Sequence, residues 1–404
     1  MKSILFITSS YPFGNGESFI TSEIEDLSDN YKVHVIPTYP RGHLKNEQEK
    51  KINENIYYLH SPLLTIKYLF SSLLFSIKYP VILLNLLKLC LVKNYKHSIR
   101  NLALIPKSIF LYNKIKETNP CFIYAHWISA PAQLAMMLSF LSRVPYGITG
   151  HRWDIVDNNN FIQKFENAAF IRFISKKSQQ LLHSNILKKH HFKIKTIYIG
   201  VDIDSNNNIN SSFTEPYTRG VCIASLIPVK GHHYLFNAIS LLKKRNNIVH
   251  IDIIGDGELK ESLLKLVKGL DIEQQIHFKG QLTHDYVQKL LGSNIYQFCC
   301  LPSLDLGNGL HEGIPVSLME SMSRGIACIS TNTGSINELI NDNYNGILVN
   351  PADSEALANG IIALIQNIDL RKKISDNSIK TINCLFNRKR NNKKILNLIN
   401  KHRL

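Results

Sequence analysis

Glu312 and, after seven intervening residues, Glu320 lie in the stretch where residue type and spacing point most directly to chemistry. A loop from Gly309 to Pro315 leads into Val316, Leu318, Met319 and Met322, apolar residues at helical spacing. A short strand from Ile326 to Ser330 and a glycine turn at Thr333-Gly334 follow. A helix beginning near Pro315 puts Glu312 before the first turn and Glu320 about two turns along. The amides of Ile314, Val316 and Ser317 are then unpaired donors at a positive helix end, which suits phosphate. Carboxylates on either side could bracket a ligand with hydroxyls at both ends and phosphate between them, the form of a nucleotide-sugar. Taken alone, the pair is better explained by a solvent-facing Glu and a stabilising helix-start Glu.

Other residues add to that chemistry. Lys230, at the carboxyl end of a strand from Val221 to Leu226, is placed to meet phosphate. Gly14 and Gly16 occupy a loop between a strand (Ile4 to Thr8) and a helix (Ser18 to Leu27), a layout that lets amides approach a phosphate or sugar. That helix is expected to turn Glu23, Glu25 and Asp26 outward. His151 and Asp154 follow the strand entered at Pro145, and the carboxyl ends of parallel strands are where open α/β sheets place ligands. Asp202-x-Asp204 lies at a domain border without further ligands. No His or carboxylate cluster has metal-ligand spacing, so no metal is expected.

These residues need a large scaffold. At 404 residues, 44% hydrophobic and 19% charged, the chain is long and apolar enough for two folded domains. The repeated alternation of strand and helix argues for two Rossmann-like α/β domains with parallel sheets facing each other across a cleft. Expected boundaries are 1–203, a polar linker at 204–218, a second domain at 219–385, and a basic tail helix at 386–404. The 7 cysteines are scattered without a CxxC, which fits a reducing compartment. Cys299-Cys300 reads as buried core. MKSILFITSS reads as a first strand and not a secretory signal.

A net charge of +16 calls for an anionic partner. No aromatic RNA motif, zinc finger or helix-turn-helix is present, so nucleic acid is not expected. Membrane surface and phosphate substrate remain. From 61 to 116 apolar residues are interrupted by Lys67, Lys78, Lys88, Lys93, Lys96, Arg100 and Lys107, with no acidic residue. The apolar runs are too short for a transmembrane helix. The composition fits basic amphipathic helices on an anionic bilayer, or ordinary helices with lysines turned to water.

The ordered motifs VKGHHYL, GDGELKESL, HFKGQL, LPS, EGIPVSLMESMSRG and TNTGSINEL resemble the donor half of retaining GT-B glycosyltransferases of family 4. YPFGNGESFITSEI, IYAHW, TGHRWD and the hinge IYIGVD are similar to the acceptor half. The likeness omits roughly residues 40 to 115, and within the family it is greatest to bacterial enzymes of capsule, exopolysaccharide and O-antigen synthesis. It implies that Glu320 holds the ribose hydroxyls, Glu312 faces the donor sugar, and Lys230 neutralises the diphosphate. Amides of Gly14, Gly16, Ile314 and Val316 would assist, His151 would touch the transferred sugar, and Asp154 would orient its loop.

The implied donor is a nucleotide-diphosphate sugar, a UDP-sugar first and GDP-mannose second. The implied acceptor is a glycan or polyprenyl-linked oligosaccharide, and the expected location is cytoplasmic, on the inner face of the plasma membrane. No cofactor or metal is implied. Three departures stand out. Ser225 occupies a position where the family has Arg, with Arg152 expected to substitute. Ser335 replaces a second glycine, and the loop from Leu304 to Leu310 is longer than usual. Alternatives are a nucleotide-sugar-binding protein without activity, or a sugar-nucleotide epimerase or hydrolase.

Overall fold

The computed structural model describes residues 1–13, 17–41, 54–151, 154–155, 159–182, 184–203 and 218–404. The chain divides into two units, one of Met1–Ile197 with Asn392–Leu404, the other of Tyr198–Asn391. The division therefore falls at Ile197/Tyr198 rather than after 203, and most of the expected linker lies outside the described residues.

In the first unit, β1 (Ser3–Thr8), β2 (Lys32–Pro37), β3 (Ile56–Tyr58), β4 (Pro120–His126), β5 (Tyr146–Gly150), β6 (Phe170–Phe173) and β7 (Ile194–Thr196) form one 7-stranded sheet. Its order is β3-β2-β1-β4-β5-β6-β7 and every pairing is parallel. Alternation along β1 splits the core. Ile4 and Phe6 face Val33, Phe122 and Tyr124, while Leu5 and Ile7 face Ile123, Ala125 and Ile148. Both faces are covered, which is why these strands read as unbroken apolar runs. The last helix, Arg388–His402, covers the first of these faces with Ile395 and Ile399, both fully buried. Its apolar side is thus core.

In the second unit, β8 (Arg219–Ile223), β9 (His250–Ile254), β10 (Ile276–Gly280), β11 (Phe298–Leu301), β12 (Ala327–Thr331) and β13 (Ile347–Val349) form a 6-stranded sheet in the order β10-β9-β8-β11-β12-β13. All pairings are again parallel. Both orders reverse direction once, at β1/β4 and at β8/β11. Such a reversal opens a crevice at the carboxyl ends of the two strands that flank it. Each unit is therefore Rossmann-like and has its own switch point. Cys299 and Cys300 are buried as expected, and no cysteine is in a disulfide.

Candidate functional site

The second unit's switch point gathers the residues that the sequence singled out. Lys230 ends a short turn, Pro228–Lys230, between β8 and the helix His232–Lys244. Gly231 follows at φ +66°, and a Cβ there would collide with the Pro302 carbonyl oxygen, so only glycine brings the Lys230 turn this close to the loop leaving β11. Leu304 N–H donates to the Val229 carbonyl at 2.8 Å and fastens the two. From that same loop Glu312 meets Lys230 in an ion pair, with side chains 14% and 19% exposed. Gly334, at φ +56°, lets the turn after β12 lie against the Glu312 carbonyl, where a Cβ would again collide. His311 Nδ1–H donates to that carbonyl at 2.8 Å. Three loops from adjacent strand ends thus fix one Lys–Glu pair.

The helix beyond Glu312 runs Val316–Ser323 with Pro315 as its N-cap. Glu320 is therefore about one turn in, not two. Its carboxylate pairs with His284 Nε2 at 2.8 Å rather than with Lys230, and burial raises its pKa against the pull of that imidazole. Among the described residues, the amides of Ile314, Val316 and Ser317 have no protein acceptor, as the first turn of a helix requires. Ser225 is exposed in the turn after β8 and supplies no cation. Among the described residues no group of His, Cys, Asp or Glu is arranged to hold a metal ion.

The first unit's switch point carries a second cluster, drawn from segments far apart in sequence. Glu17 binds the loop leaving β1: its carboxylate accepts from the amides of Ser9 (3.2 Å), Ser10 (2.6 Å) and Tyr11 (2.7 Å), and from the indole N–H of Trp127. Trp127 sits just past β4 at φ +94° and stacks on His151 with ring centroids 4.1 Å apart. A positive φ at a tryptophan costs on the order of 1–3 kcal/mol, a strain that clusters at functional sites. Asp154 accepts from the amides of His151 (2.9 Å) and Ile128, which locks the loop leaving β5 onto the end of β4. Burial pushes the Asp154 carboxyl up to about 8, opposed by those amides and by the Lys164 ammonium.

His151 lies over a buried polar chain. Its Nε2 is 3.0 Å from His126 Nδ1, His126 Nε2 is 3.4 Å from Glu23, and Glu23 is paired with Arg172 at 2.7 Å. Glu23 can only accept, so His126 presents Nε2–H to it, and with His126 neutral its Nδ1 accepts from His151 Nε2–H. That order leaves the lone pair of His151 on Nδ1. Burial, then the neighbouring His126 and Arg172, hold the His151 pKa well below the usual range, so the ring is neutral. Burial raises the Glu23 pKa, but Arg172 and His126 outweigh it and the net shift is strongly downward.

The expectation that Glu23 faces outward is thus corrected. It is 6% exposed and sits beside Ile24 and Leu27 on the inward side of its helix, tolerated there because Arg172 meets it. Glu17, Glu23, Arg172 and His284 were not singled out from sequence. Arg172 left the clearest signal, a cation inside the apolar run FIRF that has to find a buried partner. Gly14, Gly16 and Arg152 lie outside the described residues.

Residues 206–381 match the family model for glycosyl transferases group 1. A 176-residue stretch is 30% identical to the amylovoran biosynthesis glycosyltransferase AmsK of Erwinia amylovora, covering 43% of this chain and 42% of that one. Over 157 residues the chain is 31% identical to an uncharacterized glycosyltransferase of Haemophilus influenzae, covering 39% and 42%. The chain thus matches about two fifths of the length of these curated relatives. In structure it resembles Anabaena HepE, solved in complex with UDP, with a TM-score of 0.71 at 17% identity over 99% of this chain and 100% of that one. At that identity the likeness is one of fold, the GT-B class with its two Rossmann-like domains. The Lys230–Glu312 pair lies within residues 206–381, the part of the chain that matches the glycosyl transferases group 1 model.

Proposed function

We propose that the chain is a glycosyltransferase. It moves a hexose from a nucleotide-diphosphate sugar to a sugar hydroxyl of a surface-polysaccharide precursor, and configuration at the anomeric carbon is retained. The observation that carries this reading is the Lys230–Glu312 ion pair at the switch point of the second unit. An ammonium held there by a carboxylate is poised to exchange that partner for a diphosphate, which frees Glu312 to face the sugar. AmsK's role in amylovoran synthesis supports the polysaccharide acceptor, and the UDP bound by HepE supports a UDP-sugar donor.

In this reading Lys230 and the free amides of Ile314 and Val316 stabilise the departing diphosphate. Glu320 takes the ribose hydroxyls in place of His284. His151 offers Nδ1 to a sugar hydroxyl, with Asp154 holding its loop. No nucleophile is needed, because the departing diphosphate accepts the acceptor's proton on the same face. Catalysis then rests on positioning and on charge stabilisation.

A thermal-shift panel of UDP-, GDP- and ADP-sugars identifies the donor, and transfer from labelled donor to a lipid-linked glycan tests the reaction. Lys230→Ala should lose donor binding and at least ~100-fold in turnover, as removal of a charge-stabilising group does elsewhere. Glu312→Ala should lose turnover with the circular dichroism spectrum unchanged. Near-normal rates in either variant would remove the assignment. Ser225, uncharged where a cation is expected, favours one second reading, a protein that binds nucleotide-sugar without transferring it. A donor-induced shift with no product on any acceptor would establish that instead.

A further inference from the structure

The helices Ile66–Lys78 and Pro80–Cys90 meet at a 120° bend and carry apolar residues on two opposed sides. One side is accounted for by folding. Phe75, Leu86 and Cys90 are buried in a cluster with Leu104, Ile109 and Met137. The other side is not. Ile66, Phe70, Leu73 and Ile77, spaced as a single helical stripe, are 86%, 61%, 60% and 74% exposed, and Val81 and Leu84 extend the stripe past the bend at 68% and 57%. A contiguous apolar surface of this kind marks an interaction site.

Charge identifies the partner. Lys67, Lys78, Lys88, Lys93, Lys96 and Arg100 surround the stripe, all exposed, and residues 61–116 contain no Asp or Glu. A second copy of this face would bring one cationic rim against another. The partner must offer apolar depth and negative charge together, which is the chemistry of an anionic lipid bilayer. Together the two helices have the length and composition of a bent span, but two observations favour lying on the bilayer over crossing it. No single helix among the described residues is long and apolar enough, and one side of each helix is committed to the protein core.

We infer that the pair Ile66–Lys78 and Pro80–Cys90 is a membrane-docking hairpin. It lies in the headgroup region of an anionic bilayer with the stripe toward the acyl chains and the lysine stems reaching back to the phosphates. The hairpin is outside residues 206–381, so the inference stands whether or not the proposed transfer reaction is correct.

Flotation of the full chain with vesicles tests it. The chain should float with phosphatidylcholine vesicles containing phosphatidylglycerol, weakly with phosphatidylcholine alone, and progressively less as salt rises. Replacing Lys67 by Gln should lower binding about five-fold, the contribution of one cation near such a surface. Phe70→Glu with Ile77→Glu should abolish flotation while the thermal unfolding midpoint is kept, because both side chains already face water. Two results would overturn the inference: no flotation at low salt, or undiminished flotation of the double Glu variant. A sedimentation dimer that the double variant converts to monomer, without vesicle binding by the parent chain, would assign the stripe to self-association instead.

Discussion

His232 shows what the candidate site demands of single residues. It opens the helix His232–Lys244, is 1% exposed, and neither ring nitrogen has a hydrogen-bond partner. Burial, then the adjacent Lys230 and His233, hold its pKa down to about 4 from the ordinary 6.5. A neutral ring next to Lys230 adds no second positive charge beside that ammonium. The folded form refuses a proton that the unfolded chain takes up, so the effect on stability is nil above about pH 6.5. It then grows as pH falls toward about 4, reaching a loss of about 3 kcal/mol at 1.36 kcal/mol per pKa unit. His232→Leu, similar in volume and without polar atoms to satisfy, should flatten that part of the profile and be neutral or stabilising at pH 7. Urea unfolding at pH 7.5, 6 and 4.5 checks this. A parent and variant that lose stability in parallel would show that His232 is not the group responsible.

At the scale of elements, Glu23 and Arg172 tie the helix Thr21–Ser28 to β6 across most of the first sheet. Both are buried, so removing one leaves the other charged and without the ion it pairs with. Glu23→Ala should cost about 3–5 kcal/mol, whereas Glu23→Leu with Arg172→Met should recover most of it. Denaturation of the two variants separates a needed charge pair from a merely tolerated one; equal losses in both would mean that the pair itself stabilises. The same pair shows which elements were legible in sequence. β1 and β12 announce themselves as apolar runs because their faces are covered, and Val316–Ser323 by its helical spacing. Glu23 was misread because spacing gives the direction of a side chain relative to its own helix, not the partner 149 positions away that neutralises it. Lys230 and Glu312 were found, but their direct pairing was not. It depends on Gly231 and Gly334 bringing loops from different strands together, a non-local fact. β13, three residues long, carried too little pattern to be seen, and the helices Ser354–Gln366 and Ile368–Leu385 beyond it went unread.

At the scale of the whole molecule, the order of the chain and the division into units do not coincide. The last helix starts in the second unit and finishes in the first, where Ile395 and Ile399 are buried against the face that carries Phe122 and Tyr124. Asn392 Nδ2 donates to Asp26 at 2.6 Å, and Leu404 N–H donates to the Cys121 carbonyl at 3.1 Å. The first unit's core is therefore complete only when its most distant segment has been made. Removing residues 392–404 takes away two buried isoleucines and uncovers the aromatic face beneath them. At about 1.5–3 kcal/mol for each buried side chain, the loss should be about 3–6 kcal/mol. Ile399→Ala should cost about 2–5 kcal/mol with the helix still present. Limited proteolysis locates the damage. Cleavage should appear within 1–197 at protease levels that leave 198–391 intact, even though the deleted residues follow the second unit in sequence. If the truncated chain is cut first within 198–391, the helix is a support of the unit it leaves and not of the one it enters.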